Sequence, residues 1–490
     1  MQKSKSIRDS ATSGFIWSLL ERCCAQGISL VVSIVLARIL DPSNYGVVAI
    51  VTIFTTFCTT FVISGFGKAL VQKKNADELD FNSIFYANIA ISVLLYTILF
   101  FAAPYIAEFY KIHDLVFLIR AQSLVLPLSA LCAIQNAYMQ KHMQFKKYFI
   151  VTLISTVISG IIGIIAALND AGAWALVIHT LSKQAIDAML LYFISTWKPK
   201  LEFSVKRVKK LFPYGMRVLL TTLIGTLEGE IRALIIGKKY SKEALAFYNN
   251  GATYPKLIFL NIGSAITRVM LPVFSKEQND PYAIKSILKR SVQVSLYVVM
   301  PLLAGLIAVA EPMVRVLYSE KWIMSVPFIQ IISLSYLTQP YENSCAEALY
   351  ATGRSGVVLM DMIITKLVSF SSIVAAVFLF DSVYAIAWTS VLWTIVSVIL
   401  FACQVSHYFN YKVSEQLKDI LPSLILSAIM CGIVYGIQLV LNLNSIIVLV
   451  IQVIVGALIY ASLSWVFKLK PFNYLLAYMK DIINSRKKKA

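Results

Sequence analysis

Long apolar runs divide this chain from end to end, and most contain about 20 residues or more, the length that a helix needs to cross a bilayer. Hydrophobic residues make up 58% of the 490 residues, and charged residues only 14%. A soluble domain of this length is about 25% charged, so this chain has too little polar surface to solvate a globule. Runs this long are not barrel strands, which need only about 10 residues each. The sequence therefore predicts an all-α integral membrane protein.

The apolar runs predict about 14 transmembrane helices with no soluble domain inserted between them. We place the spans at residues 15–39, 45–71, 81–105, 115–139, 148–168, 174–197, 211–236, 244–271, 287–310, 326–350, 357–380, 383–408, 420–441 and 446–467. The spans at 211–236 and 244–271 are the least apolar, and a scan by hydropathy alone is expected to miss one of them.

The positions of lysine and arginine predict which helix ends face the cytoplasm, because cytoplasmic loops carry an excess of these residues. The chain has 44 of them and a net charge of +19. Six lie in loops after odd-numbered spans, and more than four times as many lie in the termini and in loops after even-numbered spans. Both termini are therefore predicted to be cytoplasmic, which requires an even number of spans. Because the basic residues flank apolar runs, they indicate a membrane and not nucleic acid.

A weak internal repeat predicts that the helices form two halves. The segment Leu36–Gly46 leads from the first span into the second, and Ile236–Ala246 leads from the seventh into the eighth, at an offset of 200 residues. Repeated halves with a binding site between them are common in transporters. We therefore expect a six-helix lobe at 1–200, a second at 201–410, a central cavity between them, and two additional helices with a basic cytoplasmic tail at 411–490.

Several predicted spans carry ionisable residues, which are costly inside a bilayer unless they are paired or hydrated. Six basic residues are candidates for binding an anionic substrate: Arg22, Arg120, Lys183, Arg217, Arg232 and Arg268. Three acidic residues are candidates for coupling transport to an ion gradient: Asp187, Glu228 and Glu230. Each acid has a basic residue within reach, so a local rearrangement can change its protonation or its partner.

Two interpretations of these charges stay open. Pairs one helical turn apart, such as Lys183 with Asp187, can neutralise each other and simply hold helices together. The alternative is a water-filled cavity, which the spread of polar faces over five spans favours. Such a cavity would attract an anion, and arginine is well suited to phosphate. His179 lies on the same face as Lys183 and is better explained by packing than by ligand binding.

The sequence gives no support to other chemistry. It contains no Walker A motif, so we do not expect ATP hydrolysis. The four histidines are too scattered for a metal site, and the seven cysteines lie in or beside apolar runs without CxxC spacing. The N-terminus runs directly into the first span without a cleavage site. We expect no cofactor, no metal, no cleaved signal peptide and no enzymatic activity.

Four segments carry a resemblance to a known family. They are WSLLERCCAQGISLVVSIVLARILDPSNYG, DFNSIFYANIAISVLLYTILFFAAPYIAEFY, YGMRVLLTTLIGTLEGEIRALIIGKKYS and CAEALYATGRSG. They resemble the polysaccharide transporter family, which includes the O-antigen flippases and the colanic acid exporter. That family belongs to the multidrug/oligosaccharidyl-lipid/polysaccharide exporter superfamily. The resemblance covers most of the chain, and the turn LAR-x-L-x-P-x-x-YG is its most specific part.

The resemblance implies a flippase of the bacterial cytoplasmic (inner) membrane. Its expected substrate is an undecaprenyl-diphosphate-linked oligosaccharide, such as a repeat unit of O-antigen, capsule or exopolysaccharide. The flippase would turn this lipid from the cytoplasmic to the outer leaflet by alternating access. Two lobes of six helices would surround a cationic cavity, with two peripheral helices. The expected partners are membrane lipids, a coupling proton or sodium ion, and the glycan polymerase machinery.

Two alternatives stay open. The first is a peptidoglycan lipid-precursor flippase of the same superfamily. The second is a membrane-embedded glycan polymerase or ligase, but such enzymes usually need a sizeable outward loop, and the outward loops predicted here are short. A drug exporter is less consistent with the sequence, because a cationic drug would require an acidic cavity.

The charge distribution makes a topology prediction. Reporter fusions at Lys206 and after Arg486 should report the cytoplasm, and fusions at Asn169 and Asn444 should report the periplasm. Because Lys206 and Asn444 lie in loops of opposite parity, finding both in one compartment would contradict the arrangement of 14 spans. Alkaline phosphatase and fluorescent-protein fusions at the same four sites give independent readouts.

Overall fold

A computed structural model describes residues 24–63, 65–277, 280–441 and 443–474, without the side chains at 263–269, 271 and 272. Within these ranges the chain is helical and contains no β-strand. This is the expected result in a bilayer, where a helix satisfies its backbone hydrogen bonds within a single segment.

The helices of the described ranges follow in chain order. They are α1 (Cys24–Ile39), α2 (Pro42–Ile63), α3 (Phe66–Gln72), α4 (Glu78–Tyr110), α5 (Leu115–Gln122), α6 (Val125–Lys141), α7 (Phe145–Leu168), α8 (Ala173–Ile194), α9 (Val205–Lys239), α10 (Lys242–Lys276), α11 (Pro281–Leu317), α12 (Val326–Tyr336), α13 (Gln339–Ala351), α14 (Ser355–Leu379), α15 (Val383–Phe409), α16 (Val413–Val440) and α17 (Ser445–Val466). A 3-10 helix, Glu320–Ser325, precedes α12.

Nine helical segments among the described residues are long and apolar enough to cross a membrane. They comprise α2–α3, α4, α5–α6, α7, α11, α14, α15, α16 and α17. The first predicted span is described only from Cys24 onward, as a shorter apolar helix. The other four predicted spans coincide with α8, α9, α10 and α12–α13, which carry more polar residues. A scan by hydropathy therefore misses both of the spans 211–236 and 244–271. We expected it to miss one of the two.

Three of the predicted spans are interrupted helices. The breaks separate α2 from α3, α5 from α6, and α12 from α13. Proline accompanies two of these breaks: Pro127 lies in the first turn of α6 and Pro340 in the first turn of α13. Proline is tolerated there because N–H groups of a first turn have no partner within the helix.

Prolines inside two long helices are compensated by side chains from neighbouring helices. Pro104 in α4 has no N–H to donate to the Phe100 carbonyl, four residues earlier. The Arg120 guanidinium donates to that carbonyl instead, over 3.2 Å. In α11, Pro301 likewise leaves the Tyr297 carbonyl free of its helical bond, and the Tyr460 hydroxyl donates to it over 2.9 Å. Such compensation is expected where no water can replace a lost hydrogen bond.

The chain divides into two compact units, with the boundary between Ala246 and Phe247. In the first unit, α2 packs against α5, α6, α8 and α9, and α4 packs against α5, α6 and α9. In the second unit, α11 packs against α12, α13, α16 and α17, while α14 packs against α15. The first unit therefore includes α9. The lobe boundaries predicted at residues 200 and 410 stay predictions.

Apolar side chains cover the outside of many of these helices. Phe101 and Tyr105 on α4, Phe378 on α14, Val440 on α16 and Trp465 on α17 are each more than half exposed. Soluble monomers rarely expose contiguous apolar patches of more than a few hundred Å². Side chains of this kind are expected on a surface that faces lipid.

The two turns of the sequence repeat have the same helix boundaries. α1 ends at Ile39 and α2 begins at Pro42, while α9 ends at Lys239 and α10 begins at Lys242. Both boundaries are therefore repeated at the offset of 200 residues. The repeat is structural, although the two segments share few identical residues.

The hydrogen bonds that end the two helices are repeated as well. The Leu40 N–H donates to the Leu36 carbonyl over 2.9 Å, and the Tyr240 N–H donates to the Ile236 carbonyl over 3.0 Å. These four residues occupy equivalent positions in the two turns. The backbone of the turn is thus repeated even where the side chains differ.

The two repeated turns also touch each other within the first unit. Gly46, near the start of α2, lies against the backbone of Lys242, the first residue of α10. A Cβ atom at position 46 would lie 1.9 Å from the Lys242 carbonyl oxygen and 2.4 Å from its carbonyl carbon. Only glycine fits this contact without moving one of the two helices.

Substitution at this contact should destabilise the protein. We expect Gly46→Ala to lower the free energy of unfolding by about 1–3 kcal/mol, the usual cost of overpacking. The matched control is Gly436→Ala on α16, where an added Cβ meets no atom within 4 Å. Melting temperatures of the purified variants in detergent check the prediction. Equal melting temperatures for Gly46→Ala and Gly436→Ala would contradict it.

Candidate functional site

Two of the predicted site residues form an ion pair on α8. The Lys183 ammonium lies 2.9 Å from a carboxylate oxygen of Asp187, one helical turn away. The Asp187 side chain is 15% exposed and that of Lys183 34%. This contact is the mutual neutralisation that the spacing allows. The roles of Lys183 in substrate binding and of Asp187 in ion coupling stay predictions.

His179 packs between α8 and α7. A Cβ atom at Gly163 of α7 would lie 2.7 Å from the His179 Cβ, so the two helices approach closely at this point. The imidazole is half-buried. This environment agrees with the packing role inferred from the sequence.

Arg120 is held against α4. Besides donating to the Phe100 carbonyl, its guanidinium carbon lies 4.1 Å from the centre of the Phe100 ring. Both contacts orient the side chain, and a cation over an aromatic face is stabilised by the ring quadrupole. Arg120 therefore has a structural role in the first unit, and its proposed contact with substrate remains untested.

The four candidates on α9 differ in exposure. Arg217 is exposed, Glu228 and Glu230 are half-buried, and Arg232 is only 7% exposed. α9 packs along α2, where the hydroxyls of Thr60 and Thr226 lie 3.4 Å apart. The same helix thus presents a buried cation and an exposed one about four turns apart.

Two candidates lie outside what the structure describes. Arg22 precedes the described residues, and Arg268 belongs to α10 at a position whose side chain is not described. The described residues therefore include four of the six basic candidates with their side chains, and these four do not form a single cluster. Among residues 24–63, 65–277, 280–441 and 443–474, no group of three or more His, Cys, Asp or Glu side chains is placed to hold a metal.

Two buried acids of the second unit were missed by the sequence analysis. Glu342 on α13 is 7% exposed and accepts hydrogen bonds from the hydroxyls of Ser397 (2.6 Å) and Thr338 (3.3 Å). Asp361 on α14 is 2% exposed and accepts from the Gln404 amide. Both lie inside predicted spans, so the rule that selected the other intramembrane charges would also have selected them.

A charged cluster fixes the start of α4. Asp77 caps the helix, accepting from the Asp80 backbone N–H over 2.9 Å. Asp80 is fully buried and forms ion pairs with Lys73 and, over 3.3 Å, with Arg207. Arg207 also contacts Asp77 over 2.8 Å. The third residue of α9 is thereby tied to the first turn of α4.

The cluster shifts the titration of its exposed carboxyl. Burial by itself raises the pKa of Asp77. The hydrogen bonds of Asp80 and the charges of Arg207 and Lys73 outweigh burial, so the pKa lies below its ordinary value. Asp77 is therefore ionised at neutral pH, and its contact with Arg207 is maintained there.

Three connecting segments meet at this end of the first unit. The cluster joins the segment before α4 to the start of α9, and Lys141 at the end of α6 donates to the Leu70 carbonyl over 3.0 Å. The amide of Gln144 donates to the Thr196 hydroxyl over 3.3 Å. All three segments follow even-numbered predicted spans, so they share one face, as alternation requires. Which side of the membrane this face occupies stays a prediction.

Comparisons with known proteins point in one direction. A family model described as "Polysaccharide biosynthesis protein" matches residues 35–327, which is more than half of the chain. The match begins at the first repeated turn and ends at the start of α12.

Curated relatives have related names. The teichuronic acid biosynthesis protein TuaB of Bacillus subtilis is 26% identical over 93% of this chain and 95% of its own. The succinoglycan biosynthesis transport protein ExoT of Rhizobium meliloti is 26% identical over 65% of each chain. The lipopolysaccharide biosynthesis protein WzxC of Escherichia coli is 23% identical over 71% of each.

Solved structures with the same fold are transporters. The lipid II flippase MurJ in an inward closed conformation aligns with a TM-score of 0.71 at 17% identity, covering 93% of this chain and 98% of MurJ. An inward-facing multidrug resistance MATE family transporter of the MOP superfamily aligns with a TM-score of 0.58 at 13% identity, covering 78% and 95%. At these identities the likeness concerns the fold alone.

Proposed function

Because the chain belongs to the polysaccharide biosynthesis protein family, a family of membrane flippases, we propose that it translocates a lipid-linked oligosaccharide. In this proposal the cargo is an undecaprenyl-diphosphate-linked repeat unit of an O-antigen, capsule or exopolysaccharide. It moves from the cytoplasmic to the outer leaflet of the bacterial inner membrane. The proposal includes 14 transmembrane helices, two six-helix lobes and cytoplasmic termini.

The observation that carries the proposal is the match to the family along 35–327. The names of three relatives refer to the biosynthesis of teichuronic acid, succinoglycan and lipopolysaccharide. A carrier for such glycans must accommodate a diphosphate within the bilayer. Guanidinium groups bind phosphate with directional hydrogen bonds, and an ammonium group attracts it as a point charge. For this role we propose the six basic residues Arg22, Arg120, Lys183, Arg217, Arg232 and Arg268.

The alternatives have less support. A peptidoglycan lipid-precursor flippase shares the fold, but the name of the relative that covers 93% of this chain refers to another glycan, teichuronic acid. A glycan polymerase or ligase would need a catalytic loop. Between α10 and α17, the longest connecting segment on the predicted outer side contains the 3-10 helix Glu320–Ser325. A helix of six residues gives little room for a catalytic domain.

We further propose that an ion gradient drives transport, since no nucleotide-binding motif is present in the sequence. One charge moved through 100 mV gains about 2.3 kcal/mol, which corresponds to about a 50-fold change in an equilibrium constant. Glu228, Glu230 and Asp187 are the acids proposed from the sequence. To them we add Glu342, because its two hydroxyl neighbours can donate to a carboxylate or accept from a carboxylic acid. Such an environment accommodates both protonation states.

Reconstitution tests the transport proposal. Purified protein in vesicles should expose an undecaprenyl-diphosphate-linked glycan to an external glycosidase, at a rate well above that of protein-free vesicles. Arg217→Glu should lower this rate about tenfold or more, because a charge-assisted hydrogen bond to phosphate is replaced by repulsion. The matched control is Lys209→Glu, an exposed residue on the same helix. No translocation by folded wild-type protein would refute the function, and equal rates for both variants would remove Arg217 from the site.

The same vesicles test coupling. Rates are measured with and without imposed proton and sodium gradients for Glu228→Gln, Glu230→Gln, Asp187→Asn and Glu342→Gln. A coupling acid should give folded protein whose rate no longer responds to the gradient. Glu277→Gln, at an exposed position after α10, should respond as the wild type does. A normal response in all four variants would eliminate these acids as coupling groups.

A further inference from the structure

A separate cavity of about 560 Å³ opens where the three connecting segments of the first unit meet. It lies between the start of α4, the end of α6 and the segment that follows α8. Its volume is within the range of roughly 300–1,000 Å³ that is usual for small-molecule sites. It contains none of the residues proposed above for the diphosphate or for coupling.

One wall of the cavity is aromatic. The rings of Tyr138 and His142 stack with centres 4.1 Å apart, and Tyr138 also stacks on Trp197 at 6.2 Å. Phe81 packs against both Tyr138 (5.3 Å) and Trp197 (5.8 Å). Phe81 and Trp197 are buried, whereas His142 is exposed at the outer end of the stack. The wall is thus an aromatic surface whose outermost ring, that of His142, is exposed.

The opposite rim is polar and balanced in charge. It contains two carboxylates, Asp77 and Glu78, and two ammonium groups, Lys198 and Lys200. Lys200 forms an ion pair with Glu78, and the Lys198 ammonium lies 4.4 Å from the centre of the Tyr192 ring. Because the two ammonium groups offset the two carboxylates, this rim suits a neutral ligand that is rich in hydroxyl groups.

The histidine does not add a charge at neutral pH. Burial lowers the pKa of His142, and the charge of Lys141 lowers it further. A neutral imidazole can both donate and accept a hydrogen bond.

One residue that lines the cavity has an unpaired polar atom. The Trp197 indole N–H is buried without an acceptor among the described residues. Buried polar groups are normally paired, so this N–H is available to a hydroxyl oxygen of a ligand or to a bound water.

We infer that this cavity binds a sugar ring of the glycan on the predicted cytoplasmic side, an inference that rests on the proposed function. One face of a pyranose is made of C–H bonds, which pack against the partly negative face of an aromatic ring. The exposed face of His142 provides that contact, and Asp77 and Lys198 provide hydrogen bonds to hydroxyls at the rim. The cavity would then hold the sugar part of the cargo outside the bilayer, separately from its diphosphate.

Saturation-transfer NMR on the full chain in nanodiscs tests this site without a sugar-based detergent. The probes are maltose, lactose and di-N-acetylchitobiose, with UDP as a competitor. The wild type should bind at least one disaccharide, and His142→Ala should weaken that binding about 3- to 10-fold, the usual effect of losing one aromatic contact. The control is His113→Ala, which removes an exposed histidine from a loop on the opposite predicted side of the membrane. This variant should bind as the wild type does.

Three results would overturn the inference: no binding of any disaccharide by the wild type, unchanged binding by His142→Ala, or tighter binding of UDP than of every disaccharide. The vesicle assay separates this site from the proposed function. Disaccharide binding without translocation would refute the flippase and leave a saccharide site. Translocation without disaccharide binding would refute the site alone.

Discussion

The absence of water from the bilayer core is the constraint on which this structure depends, because every backbone N–H and C=O there needs a partner within the protein. Where the helices are regular, they provide these partners themselves. At the breaks and prolines, side chains from other helices take over. Asn88 of α4 donates to the Val62 carbonyl at the end of α2 over 3.1 Å. Arg120 and Tyr460 do the same for the carbonyls that prolines leave free. Much of the polar content of these helices is therefore structural.

That constraint also explains how much of the fold could be predicted. Length and hydropathy located nine of the spanning segments among the described residues, because a helix that crosses a bilayer needs about 20 apolar residues. The spans missed by hydropathy, α8, α9, α10 and α12–α13, are the helices with charges and amides in their middle. Positive charge in the loops and the repeat at 36–46 and 236–246 compensated for this weakness. The interruption of three spans was not predicted, because the prolines near two of the breaks were not used.

The candidate site was harder to predict, because one sequence property, charge within an apolar run, has several structural causes. Lys183 is paired along its own helix, Arg120 compensates a proline, and Arg232 is buried while Arg217 is exposed. Spacing along the chain does not distinguish these environments, which depend on the neighbouring helix. Glu342 and Asp361 are charges within predicted spans and could have been predicted from the sequence, whereas the aromatic cavity could not. Its walls come from segments about 60 residues apart, brought together only by the packing of α4, α6 and α8.

The attachment of Arg207 to Asp77 and Asp80 has a mechanical consequence for α9. This helix has 35 residues, so it is about 52 Å long at a rise of 1.5 Å per residue. Its third residue is tied by two carboxylates to the first turn of α4, and translation of that end would break a buried ion pair. A single tie would still allow a tilt, and a tilt of about 10° would displace the far end of α9 by about 9 Å. The far end is held as well, because the Lys238 ammonium donates to the Phe109 carbonyl of α4. The helix is therefore braced against α4 at both of its ends and has to move together with it.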